Sequence, residues 1–275
     1  MQLRSVLERS THRLVVRRRL PRPFAAARIC ASTEGGLRYL RPNMAKVDPM
    51  LIGLARELVH PGDVVWDIGA NLGLFTFAAA VAAGPTGRVL AVEPDPLLVT
   101  MLNRSAELNS DHAPVDVLAA AVSDTVGIER FHIARRNRAT SHLDGFGTTQ
   151  TGGTRTVHLV ATVTVDWLAE RLPPPDVVKI DVEAAEVQAL AAAASVLRRR
   201  PRIICETAAE NAAAVRDILT PYDYVLYDAD QPANERHPRQ LPALNTLALP
   251  VPQAVETASA AAPGAATAGM EPERS

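Results

Sequence analysis

The stretch Val64-Val-Trp-Asp-Ile-Gly-Ala-Asn-Leu-Gly73 decides the fold. Its apolar start reads as a buried strand that ends in Asp67 and turns through Gly69 and Gly73. Without a Cβ these two positions tolerate positive φ and let backbone approach a ligand closely. A helix over 71–82 then points its first amides, from Asn71 onward, at that ligand. The next apolar run, Arg88-Val-Leu-Ala-Val, closes on Glu93. A carboxylate at a strand tip suits the two hydroxyls of a ribose, as it does about 20 positions after a dinucleotide-binding loop. These features point to an adenosine-containing cofactor. The glycine spacing separates the candidates: a pyrophosphate wants Gly-x-Gly-x-x-Gly, and a carboxylate at Asp67 would repel it. That carboxylate welcomes instead a cationic amino-acid group. S-adenosylmethionine carries one beside its sulfonium, and it is the expected cofactor.

Outward from this loop, apolar runs alternate with helical patterns, which argues for parallel strands joined by crossover helices. The spacing predicts helices over 48–60, 71–82, 95–108, 184–197 and 208–219. Strands are expected over 63–68, 88–92, 115–120, 176–180, 202–205 and 222–227, with a last, antiparallel strand over 244–249. Between 127 and 165 the pattern changes: 128–133 and 156–163 are strand-like, and about 20 polar residues separate them. A loop of that length inside a domain is usually functional or disordered. In open sheets of this kind the ligand sits beyond the carboxyl ends of the strands, where strand order reverses. Asp67, Glu93, the run Ala120-Ala-Val122-Ser-Asp124 and Asp181 should therefore face it.

The chain of 275 residues, 47% apolar and 21% charged, is long enough for one full core with tails. A net charge of −1 gives the whole chain no electrostatic case for nucleic acid. Cys30 and Cys205 are too few and too isolated for a disulfide framework or a zinc site, and no metal is expected. Residues 1–28 carry eight arginines against Glu8 alone, so residues 1–34 read as a basic arm, solvated and partly helical, with contact to an anionic partner or membrane as the alternative. No apolar run there makes a signal-peptide core and none elsewhere reaches the roughly 18 residues of a membrane span, so a cytoplasmic location is expected. Residues 251–275, rich in Ala and without aromatics, read as a disordered tail. The catalytic domain is expected to occupy 35–250 and to act without either tail.

The second informative segment is Lys179-Ile-Asp181-Val-Glu183-Ala-Ala-Glu186, which follows the apolar Val177-Val178 and brings Lys179 and Asp181 to the ligand end of a central strand. With Asp67-Ile-Gly-Ala-Asn-Leu-Gly73, Glu93-Pro94, Ala121-Val-Ser-Asp124 and Thr164-Val-Asp-Trp-Leu168, it forms an ordered series. That series resembles the FkbM-type methyltransferase family over roughly residues 35–250. The resemblance implies a class I, Rossmann-like α/β fold, with a seven-stranded, mostly parallel sheet and helices on both faces. It also implies S-adenosylmethionine as donor, held by Asp67, Gly69, Asn71, Gly73, Glu93, Pro94, Val122 and Asp124, and O-methylation of a sugar, macrolide or other secondary metabolite. Ala184 departs from the pattern, standing where the family has glycine.

Two roles are open to Asp181: a base or positioning group for the acceptor hydroxyl, or the cap of the helix that follows. Glu183 and Glu186 either join the site or favour the dipole of that helix. Lys179 either pairs with one of the acids or orients the acceptor oxygen. The loop 134–144 is the candidate acceptor lid, where His142 can serve as a base and Arg135, Arg136 and Arg138 can hold an anionic acceptor. The leading function is an S-adenosylmethionine-dependent O-methyltransferase acting on a small molecule or glycan with a free hydroxyl. An RNA methyltransferase that uses the arginine arm is the alternative, and a non-catalytic binding protein on the same fold is another. The sequence leaves the oligomeric state open.

Overall fold

The computed structural model describes residues 15–32, 37–135, 138–146 and 153–251. Seven strands form the central sheet: β3 (Val64–Ile68), β4 (Arg88–Val92), β5 (Val115–Leu118), β10 (Val177–Ile180), β11 (Arg202–Glu206), β12 (Tyr224–Asp228) and β13 (Asn245–Pro250). Their order is β12-β13-β11-β10-β3-β4-β5, and all neighbours are parallel except those of β13. The order reverses between β3 and β10. Their apolar residues leave the sheet alternately on its two faces: Val65, Val89 and Val177 enter one core, and Trp66, Leu90 and Val178 the other.

The first core is closed by α1 (Pro49–Leu58), α2 (Leu74–Ala83) and α3 (Pro96–Glu107). α2 is apolar on every side, with Phe75, Phe77 and Ala78–Ala80 all buried. A helix of that composition is stable only in an interior, and it lies between the sheet and α1. The second core is covered by α4 (Val165–Ala169), α5 (Glu186–Ala191), α6 (Ala194–Leu197) and α7 (Ala212–Leu219). This is the doubly wound architecture expected from the sequence.

Three expectations need correction. The helix over 184–197 is two helices. Asp166 draws the break apart: its amide donates to the Ala192 carbonyl at 2.9 Å, and its carboxylate accepts from the Ser195 amide and hydroxyl at 2.8 and 2.6 Å. Backbone groups orphaned by the break thus find partners. The helix over 208–219 is α-helical only from Ala212, after a 3-10 turn over Ala209–Asn211. The basic arm, in its described part, is not helical, and only part of it is solvated. β1 (Val15–Arg19) and β2 (Arg28–Ser32) form an antiparallel hairpin whose Leu20, Phe24, Ile29 and Cys30 are buried in the first core. The Asn109 side chain grips it by accepting from the Arg28 amide at 2.8 Å and donating to the Arg28 carbonyl, while Ser105 Oγ accepts from the Cys30 amide at 2.8 Å. Alternation explains the missed hairpin: Arg17 and Arg19 face solvent on a strand whose other face packs, and counting arginines hides that period. Residues 1–14 and the tail from 252, read as arm and disordered tail, lie outside the described residues.

The stretch 127–165 forms a second sheet. β6 (Ala121–Val122), β9 (Thr154–Val163), β7 (Gly127–Ala134) and β8 (His142–Leu143) lie in the order β6-β9-β7-β8. β7 and β9 pair antiparallel from Gly127–Thr162 to Ala134–Thr154. Phe131, Ile133, Leu143 and Val160 make its own small core. The sheet carries β8 and the turn before it to the carboxyl end of the main sheet.

Candidate active site

Two clefts open at the carboxyl ends of the central strands. The first, of about 580 Å³, lies over the tips of β3 and β4 and under β8. Asn71, Glu93, Pro94, Leu98 and Val122 form its floor and walls, and Arg138, Ser141 and His142 its roof. The second, of about 960 Å³, lies over β10 and β11, between Arg38, Asp48, Glu206 and Asp230. Asp181 lines both.

Gly69 lines the first cleft, as the sequence reading expects, and the glycine turn also has a second, internal role. Gly69 has φ +76°, and a Cβ built there would lie 1.8 Å from the carbonyl oxygen of Asp181. The close approach it permits is between the loop after β3 and the end of β10. Gly73, at φ +85°, caps α2 among Phe77 and Leu102, where a Cβ would come within 2.6 Å of the Phe77 ring. It shapes the turn and does not line the cleft. Asn71, at φ +53°, does reach the cleft.

Glu93 is 5% exposed, and its carboxylate accepts from the amides of Asn71 at 2.8 Å and Asp95 at 2.9 Å. Burial pushes its carboxyl up to about 7 against the pull of those amides. A carboxylate offers about four lone-pair positions, so two backbone bonds leave acceptor capacity for a diol. Apolar Pro94, Leu98 and Val122 nearby suit a flat ring. The first cleft therefore fits an adenosine on this chain's own donor set. Asp124, by contrast, is exposed and outside the lining of the cleft.

Asp67 is fully buried and turns away from the cleft. Its carboxylate accepts from Thr76 Oγ1 at 2.5 Å and pairs with Lys179 Nζ at 3.1 Å. The expectation that it meets a ligand's amino group is corrected: that position is filled by the protein's own ammonium. Lys179 also donates to the Gly69 carbonyl at 3.0 Å and lies 3.5 Å from Asp181. Burial alone would lower its pKa, but Asp67 and Asp181 raise it above the ordinary lysine value. Lys179 is a fixed cation joining the two strand tips.

Asp181 is not a helix cap, because α5 begins five residues later with Ala185 at its N-cap. The chain between them bends sharply, with Glu183 at φ +49° and Ala184 at φ +70°. This explains the glycine expected at 184, since the left-handed region costs a residue with a Cβ roughly 1 kcal/mol. The Cβ of Ala184 is absent from the lining of both clefts. Glu183 borders the first cleft, and its carboxyl is pushed up to about 8 by burial and by Asp181 and Glu206. Glu186 is structural: 1% exposed, it accepts from the Ala208 amide and from Asn211 Nδ2 at 2.6 and 3.1 Å, tying α5 to the segment after β11.

In the loop over 134–144, His142 borders the first cleft, directs Nδ1 at the Thr140 carbonyl at 3.2 Å and stacks on His132 with centroids 5.6 Å apart. Arg138 pairs with buried Asp95, Arg135 is exposed, and Arg136 lies outside the described residues. Sequence reasoning missed Glu206 and Arg38. Glu206 ends a predicted strand, so the strand-end rule could have found it; its carboxyl is pushed up to about 7 by burial and by Asp181. Nothing marks Arg38, which a 3-10 turn over Leu37–Leu40 brings to the second cleft. Among the described residues, no cluster of side chains could hold a metal ion, and no helix is long and apolar enough to cross a membrane.

The strand order and the two clefts define a class I methyltransferase fold. The model of the methyltransferase FkbM domain matches residues 67–226, more than half of the chain, and the protein belongs to that family. A hexuronic acid methyltransferase of Haloferax volcanii is 30% identical over 163 residues, covering 57% of this chain and 60% of its own length. Among solved structures, an S-adenosylmethionine-dependent O-methyltransferase of Thermotoga maritima aligns with a TM-score of 0.42 at 14% identity, over 75% of this chain and 66% of its own. A precorrin-6y C5,15-methyltransferase of Geobacter metallireducens gives 0.40 at 14%, over 74% and 86%.

Proposed function

We propose that the protein transfers a methyl group from S-adenosylmethionine to a hydroxyl of a small molecule or sugar. The observation that carries this reading is the position of Asp181, among the described residues the one acid shared by a cleft that fits an adenosine and a second cleft beside it. When bound, the cofactor supplies an electrophilic methyl carbon. Glu93 holds the ribose, and Pro94, Leu98 and Val122 hold the ring. Lys179, 3.5 Å away, fixes Asp181 at the junction. Asp181 then accepts the hydrogen of the acceptor hydroxyl and aligns its oxygen, and base assistance of this kind is worth about 10² to 10⁴ in rate. Alignment itself can supply roughly 7 to 11 kcal/mol. The relative that acts on a hexuronic acid supports a sugar as acceptor. Burial pushes the Cys205 thiol up to about 12, which keeps it out of nucleophilic chemistry.

Incubation with methyl-labelled S-adenosylmethionine and a panel of sugar, polyketide and RNA acceptors tests the reading. Label in a sugar or polyketide ether supports it. Label confined to RNA, or none despite measurable cofactor binding, rejects it in favour of the RNA methyltransferase or the non-catalytic protein.

A further inference from the structure

The second cleft has an uneven charge pattern. Asp48, Asp181, Glu206 and Asp230 bring four carboxylates to it, and Lys179 and Arg38 bring two cations. Lys179 is committed to Asp67 and Asp181. Asp48 is partly used, accepting from the Leu51 amide at 3.0 Å, and Asp230 accepts from Asn245 Nδ2 at 2.9 Å. Arg38 differs from all of these. Its guanidinium donates to Tyr39 Oη at 3.2 Å and lies 5.1 Å from the centroid of that ring, but no described carboxylate comes within ion-pair distance of it. Tyr39 is 3% exposed, so the ring is a fixed platform, while Arg38 itself is open to solvent. A guanidinium has five N–H donors in a planar fork. One is used here, and the fork matches a carboxylate.

Pro49, Met50, Leu51 and Leu244 give the cleft an apolar wall that the C–H face of a sugar can meet, and the polar remainder of the lining selects what that carboxylate is attached to. Carboxylates and the Asn245 carbonyl are acceptors, and the complementary ligand groups are hydroxyls. A simple apolar acid would leave those acceptors desolvated and unpaired, which is costly. A neutral sugar would satisfy them and leave Arg38 without its anion. A phosphate, with close to two negative charges, would meet twice the repulsion from the surrounding acids that a carboxylate meets. We propose that the second cleft takes a sugar acid, its carboxylate on Arg38 and its hydroxyls toward Glu206, Asp230 and Asn245. As the acceptor's identity this rests on the methyl-transfer reading; as a binding preference it does not.

The test is direct binding to the full chain, with S-adenosylhomocysteine present, of methyl glucuronide, methyl glucoside and glucose 6-phosphate, read by calorimetry. The glucuronide should bind about tenfold tighter than the glucoside, the scale of one charge-assisted pair. Arg38→Gln should abolish that preference and Arg38→Lys should restore part of it, with affinity for the glucoside and for S-adenosylhomocysteine unchanged. Equal binding of glucuronide and glucoside by the natural chain overturns the proposal whether or not the variants fold. Tighter binding of the phosphate overturns it as well. So does a loss of S-adenosylhomocysteine affinity in Arg38→Gln, which would assign the guanidinium to the cofactor's own carboxylate. Should S-adenosylhomocysteine itself fail to bind the natural chain, the methyl-transfer reading falls, and the sugar preference is still decided.

Discussion

The two clefts that meet at Asp181 are built in opposite ways. The first draws its floor from short, adjacent pieces of chain: a glycine turn, the tip of the next strand, and the run after β5. Glu93, Asn71 and Ser141 there each bond to backbone. The second gathers Arg38, Asp48, Glu206 and Asp230 from four separate parts of the chain, with polar groups only partly engaged. A site made from contiguous turns holds one ligand shape, whereas a site made from distant side chains can be altered one residue at a time. This difference suits an invariant cofactor on one side and a variable acceptor on the other.

The comparison can be broken first at the contact that joins the clefts. Gly69→Ala places a methyl against the Asp181 carbonyl in a left-handed turn. It should destabilise the protein by about 4 kcal/mol or more, in the range of severe backbone strain. Denaturant unfolding measures this, and a loss under about 1 kcal/mol would mean that the strand tips are not in the contact described.

Next comes the first cleft alone. Glu93→Ala should weaken S-adenosylmethionine binding by about 2 to 4 kcal/mol, through two charge-assisted hydrogen bonds. Its pH dependence sharpens the point. The folded carboxyl is raised to about 7, above the ordinary 4.5, so lowering the pH from 8 to 6 protonates it. Affinity should then fall a few-fold, while the ligand-free protein is relieved of a buried charge and gains stability from this group. In the raised direction the sign is fixed: the stabilising contribution is present at low pH and is lost as pH rises through 7. Calorimetric titrations at several pH values decide it, and an equal slope in Glu93→Ala would assign the effect elsewhere.

The junction should respond differently. Asp181→Asn is expected to lower turnover about 10²-fold and to leave cofactor affinity within a few-fold. Unchanged turnover would remove Asp181 from the chemistry and point to Glu206 as its replacement. The smallest effect is expected at Ala184. Its φ of +70° favours glycine, so Ala184→Gly should add roughly 0.5 to 1 kcal/mol of stability, and a thermal melt that falls would show that the bend is held by something other than backbone preference.

The same contrast governs what the sequence revealed. The central sheet, the turn after β3 and Glu93 were legible because each is a local signal: an apolar run, a glycine, an acid at a strand end. Lys179 pairs with Asp181, as one of its two expected roles had it, but Asp67 was misplaced, since spacing in the chain hides that parallel pairing sets residues 67 and 179 side by side. Asp181 as a cap failed because the left-handed pair after it delays the helix. Arg38 was invisible, for nothing near it in the chain resembles what it faces in space. The hairpin was obscured by exposed arginines that alternate with half-buried neighbours.

That hairpin has a practical consequence. Ser105 on α3 and Asn109 just beyond its end hold β2 by its backbone, and Ile29 and Cys30 fill the first core. Removing residues 1–34, the arm that composition alone would set apart, strips a wall from the interior and takes from Asn109 and Ser105 the backbone partners they hold on β2. A shortened protein meant for crystals or assays has to begin ahead of Val15, and a tag fused there meets a strand, not a loose end.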